Sequence, residues 1–148
     1  MTAPGSDVDR TLRLVAVTSE PLSLQLHEAA VDDRHAGGRV VFSGVVRDHD
    51  HGRDVAEIEY QAHPSAEQVL TEIAEEFAAQ PDVIALAVSH RVGRLDVGES
   101  AIVAAVACAH RGEAFELCAR LVDEVKHRLP VWKRQVFTDG TDEWVNCP

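Results

Sequence analysis

Residues 110–134 read HRGEAFELCARLVDEVKHRLPVWKR. At 100° per residue, Phe115, Cys118, Val122, Val125 and Leu129 share one broad apolar arc, while Glu116, Arg120, Asp123 and His127 share the opposite face. That period predicts an amphipathic helix over 111–129. Pro130 cannot continue it, and Val131-Trp132-Lys133-Arg134 starts a strand. Immediately upstream, residues 101–109 (AIVAAVACA) are almost wholly apolar and predict a strand buried in the middle of a sheet. A buried strand, a covering helix and a returning strand together predict helices packed on a sheet.

Working outward, the residues before this stretch alternate strand and helix patterns. Residues 11–17 (TLRLVAV) alternate as a strand, and 22–31 predict a short helix with Leu22, Leu26 and Ala29 or Ala30 turned inward. Residues 39–46 (RVVFSGVV) are strongly β-prone, with Gly44 marking a bulge or a close backbone approach. Residues 55–62 return as a strand, so 39–46 and 55–62 are expected to form a hairpin across the polar connection RDHDHGRD. Residues 65–79 place Val69, Ile73 and Phe77 on one helical face, capped by Ser65 and ended before Pro81. A strand at 83–92, a turn at 93–98, and a final pair at 131–137 and 143–146 complete the order. This is an α+β pattern, read as one antiparallel sheet layer against packed helices. Residues 1–10 are small and polar and are expected to be a disordered tail, leaving 11–148 as a single domain.

The charge distribution narrows the function. The chain carries a net charge of −11 yet contains only two lysines, Lys126 and Lys133, both within 110–134. That stretch holds six Lys/Arg against four acids. A cationic island in an acidic protein favours an anionic small molecule, and the overall charge argues against nucleic acid or an anionic membrane as partner. Lys126 lies eleven positions after Phe115 and so points within about 20° of it, at the edge of the apolar arc. Desolvation there would favour a neutral amine able to act as base or nucleophile. The alternative is a stem that snorkels while its charge complements the helix dipole. His110 and Arg111 lie where a buried strand enters a helix N-terminus, a place that favours anions. Arg47 adds a further cation.

Other candidates are weaker. His49-Asp50-His51 lacks the companions of a metal motif and is expected to be a solvated loop, so no metal is assigned. Cys108 and Cys118 fall at core positions, Cys147 is expected to be exposed, and Trp132 is read as core or a cleft wall, with the core as the default. No apolar run approaches 18 residues and no signal-peptide pattern begins the chain, which points to the cytoplasm.

The segments VVFSGVVRDHDHGRDV, IEYQAHPSAEQ, SHRVGRLDVGE, ACAHRGEAFE and KHRLPVWKRQ, in this order, resemble the catalytic (large) subunit of molybdopterin synthase. The resemblance spans about residues 11 to 145 and implies an α/β-hammerhead fold and a homodimer within a heterotetramer. The partner it implies is a small ubiquitin-like sulfur carrier whose C-terminal Gly-Gly ends in a thiocarboxylate. The implied activity is sulfur transfer to cyclic pyranopterin monophosphate, with no cofactor. By the same resemblance, Lys126 and Lys133 are the catalytic lysines. His110, Arg111, Arg47 and Phe42 are the substrate-binding residues. A binding-only module for an acidic C-terminal peptide or a phosphorylated ligand is the alternative, and a stand-alone phosphate-ester hydrolase is a second.

Overall fold

The computed structural model describes residues 4–146. In chain order the elements are α1 (Pro4–Thr11), β1 (Leu12–Thr18), α2 (Leu24–Ala30), β2 (Gly38–Val45), β3 (His49–Asp50), β4 (Arg53–Ala62) and α3 (Ala66–Ala78), followed by β5 (Val83–Arg91), β6 (Gly93–Asp96), β7 (Ser100–Cys108), α4 (Arg111–Arg128), β8 (Val131–Phe137) and β9 (Asp142–Asn146). The α+β expectation holds, with antiparallel pairing everywhere except the parallel pair β1–β5.

Two sheets form where one was expected. The first has the order β1-β5-β7-β2, and the second runs β3-β4-β8-β9 with β6 also paired to β4. As expected, β7 is central: residues 101–108 are all buried. Side chains alternate across this sheet. Leu86, Val88, Ile102, Ala104 and Val106 enter the main core with residues of α3 and α4. Ala85, Ala87, Ala105 and Ala107 form a smaller cluster with Val31 and Ala30, on the side where α2 packs. Val55, Ile58, Tyr60, Leu95, Val131 and Phe137 of the second sheet join the main core, so one apolar interior spans both sheets.

The second sheet exists because the expected 39–46/55–62 hairpin does not form. β2 pairs with β7, whose apolar edge needs a second neighbour, and β4 pairs with β8 and β6. The ladder shifts register at Gly44/Val45, where the chain leaves the first sheet. A Cβ on Gly44 would lie 2.7 Å from Ile102 Cγ2, so both sequence readings of this glycine, bulge and close approach, are correct. Residues 93–98 are likewise more than a turn: Gly93–Asp96 pairs with β4 between glycines at φ 90° and 92°.

Smaller differences have local causes. The expected tail at 1–10 contains α1, which packs beside β1 and β5. In α2, capped by Ser23, Leu26 faces solvent and His27 takes the inward position, because its ring reaches the buried Ser89 hydroxyl at 2.8 Å. Ser65 caps nothing with its side chain; its hydroxyl bonds His63 instead. Phe115 and Trp132, both expected inside, are exposed. The buried face of α4 is Ala114, Leu117, Cys118, Leu121, Val122 and Val125, so its apolar arc is centred away from Phe115. Trp132 alternates with Val131 and Lys133 on β8 and lies on the outer face of the second sheet. Cys147 lies outside the described residues.

Candidate functional site

A cavity of about 310 Å³ opens where the end of β2, the β3–β4 hairpin, the inner face of β8 and the last turn of α4 meet. Three of the predicted site cations line it: Arg47, Lys126 and Lys133. Each arrives by a different local rule. The bulge at Gly44/Val45 buries Val46 and turns Arg47 outward at the rim. The period-two alternation of β8 puts Lys133 on the same face as the buried Val131, Gln135 and Phe137. Lys126 stands in the last turn of α4, one position after the buried Val125. Its side chain is exposed in the free chain, which fits the snorkelling alternative and not a desolvated amine.

The polar connection expected to be a solvated loop is a tight hairpin. Asp50 pairs with Arg53 across a two-residue turn, His51-Gly52, whose φ values of 50° and 79° are both left-handed. Asp50 faces inward and lines the cavity. Gln135 donates from Nε2 to Asp50 Oδ2 at 3.1 Å, and Arg47 Nη2 lies 3.3 Å from Oδ1. His51 Nδ1 approaches Oδ2 at 3.1 Å. The Gln135 bond, the His51 bond and the nearby Lys133 charge hold the Asp50 carboxyl below its ordinary range, so it is ionised at neutral pH. His49 pairs with Asp48 at 2.7 Å. Among the described residues, no group of three or more His, Cys, Asp or Glu is placed to hold a metal ion.

The floor of the cavity carries His90, at the end of β5, against Tyr60 of β4; the rings meet edge to face at 5.1 Å and 83°. Nδ1 of His90 donates to the Arg91 carbonyl at 2.8 Å, which leaves Nε2 as the acceptor. Burial, against the opposing pull of the Arg91 carbonyl and with a smaller contribution from the Lys126 charge, pushes this imidazole down to about 4. A neutral acceptor therefore sits under the cations at pH 7.

Phe42 lies outside this cavity. It lines a shallower, mostly apolar groove of about 420 Å³ with Val40, Phe115, Cys118, Ala119, Val122, Asp123 and Lys126. Lys126 borders both spaces. His110 and Arg111 line neither. They are exposed at the start of α4, where Gly37 and Gly38 let the loop before β2 press against the backbone of Ala109 and Arg111. Cys108 and Cys118 are buried, free thiols as expected, and burial pushes both up to about 11, which removes them as nucleophiles.

The sequence model of the MoaE protein family matches residues 17–128. The chain belongs to the MoaE protein family. It is 41% identical over 133 residues to the molybdopterin synthase catalytic subunit of Nostoc sp., covering 88% of this chain and 81% of that one. Its fold matches the crystal structure of molybdopterin synthase from Staphylococcus aureus with a TM-score of 0.79 at 28% identity, covering 87% of this chain and 94% of that one. The fold is also that of a chain in the complex of subunits 1 and 2 of the molybdopterin-converting factor from Helicobacter pylori (TM-score 0.68, 20% identity, 89% and 88% covered). The architecture of this family member is thus that of a molybdopterin synthase catalytic subunit, a sulfurtransferase, as the sequence resemblance implied.

Sequence reasoning missed Asp50, Gln135, His90 and Tyr60 as cavity residues. Two of them carried a signal. His90 stands two positions beyond the apolar run 83–88 of β5, and Gln135 holds a period-two position between Lys133 and the buried Phe137. Asp50 and Tyr60 carried none, because their placement depends on which strands β4 joins.

Proposed function

We propose that this family member transfers sulfur from the C-terminal thiocarboxylate of a small ubiquitin-like carrier subunit to cyclic pyranopterin monophosphate, forming the dithiolene of molybdopterin. The observation that carries this reading is the convergence of Arg47, Lys126 and Lys133 on one cavity in a protein of net charge −11. Sulfur transfer returns the carrier as a carboxylate and opens a cyclic phosphate. Negative charge therefore develops at more than one place. Cations fixed in a cleft stabilise such charge better than water, which must reorganise to do so.

The apolar groove between β2 and α4 suits an extended Gly-Gly tail, walled by Phe42 and Phe115 and ending at Lys126. A docked tail would exclude water from the Lys126 amine and make it a proton relay or a transient nucleophile. Lys133 and Arg47, deeper and at the rim, hold the substrate's phosphate. His90 offers its neutral Nε2 to a donor on the pterin or to the Lys126 ammonium.

His110 and Arg111 cannot reach this cavity from their own chain. Their role in substrate binding requires a second copy, whose strand-to-helix joint approaches the cavity of the first. We therefore read the working assembly as a homodimer that binds two carriers, a heterotetramer in the cytoplasm. The complex of subunits 1 and 2 in the Helicobacter pylori structure supports a small partner subunit.

The test is mass spectrometry of a mixture of this protein, a thiocarboxylated carrier and cyclic pyranopterin monophosphate. Appearance of a dithiolene pterin with the carrier returned to carboxylate is expected. A thiocarboxylate that stays intact beside a bound carrier would reduce the chain to a docking module.

A further inference from the structure

The β3–β4 hairpin brings one carboxylate into a cavity whose other charged lining residues, Arg47, Lys126 and Lys133, are cations. Asp50 is not a loose surface acid. Its side chain is 22% exposed, and three groups hold it: Arg47 Nη2 at 3.3 Å, His51 Nδ1 at 3.1 Å and, from β8, Gln135 Nε2 at 3.1 Å. Gln135 is itself only 4% exposed, so the anchor on β8 cannot swing away. The strained His51-Gly52 turn fixes the carboxylate's approach from the other side. Among the described residues lining the cavity, Arg47, Lys126 and Lys133 bring three positive charges and Asp50 brings one negative charge.

We propose that Asp50 is a specificity-determining residue, a fixed carboxylate in the cavity wall that favours a monoanionic phosphodiester over a dianionic phosphomonoester. The inference rests on the reading of the cavity as the anion site. The physical reason is that a fixed negative charge repels a bound anion in proportion to that anion's charge. At the edge of a partly solvated cavity, one unit charge changes affinity by about threefold to tenfold for each charge on the ligand. A dianion is therefore penalised by the square of the factor that a monoanion meets. The proposed reaction begins with a cyclic phosphodiester and ends with a phosphomonoester, so the same carboxylate admits the substrate and speeds departure of the product. The guanidinium that Asp50 partly neutralises is exposed (65%), so its loss of ordering on removal of Asp50 is the smaller effect.

The experiment compares dimethyl phosphate with methyl phosphate as probes of the full-length protein at pH 8, above the second phosphate ionisation near about 6. Binding is followed by NMR titration of wild type, Asp50→Asn and Gln135→Leu. Asp50→Asn keeps a side-chain acceptor for Gln135 and removes only the charge. It is expected to tighten dimethyl phosphate about threefold and methyl phosphate about tenfold, shifting their ratio toward the monoester. Gln135→Leu releases the carboxylate toward solvent and is expected to shift the ratio the same way by a smaller factor. It also carries the test if Asp50→Asn folds poorly. An unchanged ratio in variants that still bind both probes overturns the inference alone. Weaker binding of both probes in Asp50→Asn overturns it in favour of a carboxylate that merely positions Arg47. Wild-type protein that binds neither probe overturns the anion-site reading and this inference with it.

Discussion

Arg111 and Lys126 stand at opposite ends of one helix, α4, separated by about 22 Å at a rise of about 1.5 Å per residue. No side-chain rotation brings them to one phosphate. If both act on the same substrate, each site takes its lysine from one protomer and its arginine from another. Mixing Arg111→Ala protein with Lys126→Ala protein, each inactive alone, then restores activity. Random exchange of subunits in a symmetric dimer leaves about a quarter of the sites intact, and about a quarter of wild-type turnover is expected. Turnover that stays at the level of the separate variants after subunit exchange would show that Arg111 does not complete the neighbouring protomer's site.

Lys126 borders both the cavity and the groove, so its loss acts on chemistry more than on docking. For Lys126→Ala, single-turnover sulfur transfer is expected to fall by about a hundredfold or more, with carrier affinity changed less than about tenfold. Rapid-quench mass spectrometry and a carrier titration read the two separately. Near-normal transfer by the variant would remove Lys126 from the chemistry.

The buried His90 makes stability depend on pH in a defined window. The unfolded imidazole takes its proton near 6.5 and the folded one only near about 4. Between these values the unfolded state holds more protons, so stability rises with pH. The contribution is fully present above about 6.5 and is lost as the pH falls to about 4, by up to about 3 kcal/mol. Urea unfolding of wild type and His90→Gln at pH 7 and pH 4.5 isolates it from the carboxylates common to both. The variant should lose less stability than wild type over that interval, and equal losses would count against the buried neutral imidazole.

Two glycines test the close approaches that shape the site. A Cβ at Gly44 meets a side-chain methyl, Ile102 Cγ2, at 2.7 Å, whereas a Cβ at Gly37 meets a backbone oxygen, that of Ala109, at 2.2 Å. Gly44→Ala should destabilise by about 1–3 kcal/mol, and by less when made on an Ile102→Ala background, where the obstructing methyl is gone. Gly37→Ala should cost at least as much, and no side-chain truncation should relieve it. Thermal melts of the single and double variants check both statements.

Which residues make strands and helices was largely legible in the chain, because period and apolar runs are local properties. The apolar run at 101–108 is expected to be a central strand and is one, and the helical period through Cys118, Val122 and Val125 belongs to a covered helix. Two residues escape that logic: Phe115, expected inward, is exposed, and Asp50, expected in a solvated loop, lines the cavity. Helical period gives a face to within a residue or so, but a neighbouring element decides where that face ends. The concentration of both lysines in one stretch is legible before any geometry, and both line the cavity.

What only tertiary structure decided is the partition of strands between two sheets. β2 and β4 look alike in sequence and are separated by a short polar link, so local pattern favours a hairpin. The apolar edge of β7 captures β2, and β4 is left to pair with β8 and β6. That choice is a competition between long-range neighbours, which no local period records. It opens the cavity between the sheets and turns the link into a hairpin that carries Asp50 onto Gln135. It also leaves His110 and Arg111 a helix length away from the lysines that the sequence had grouped with them.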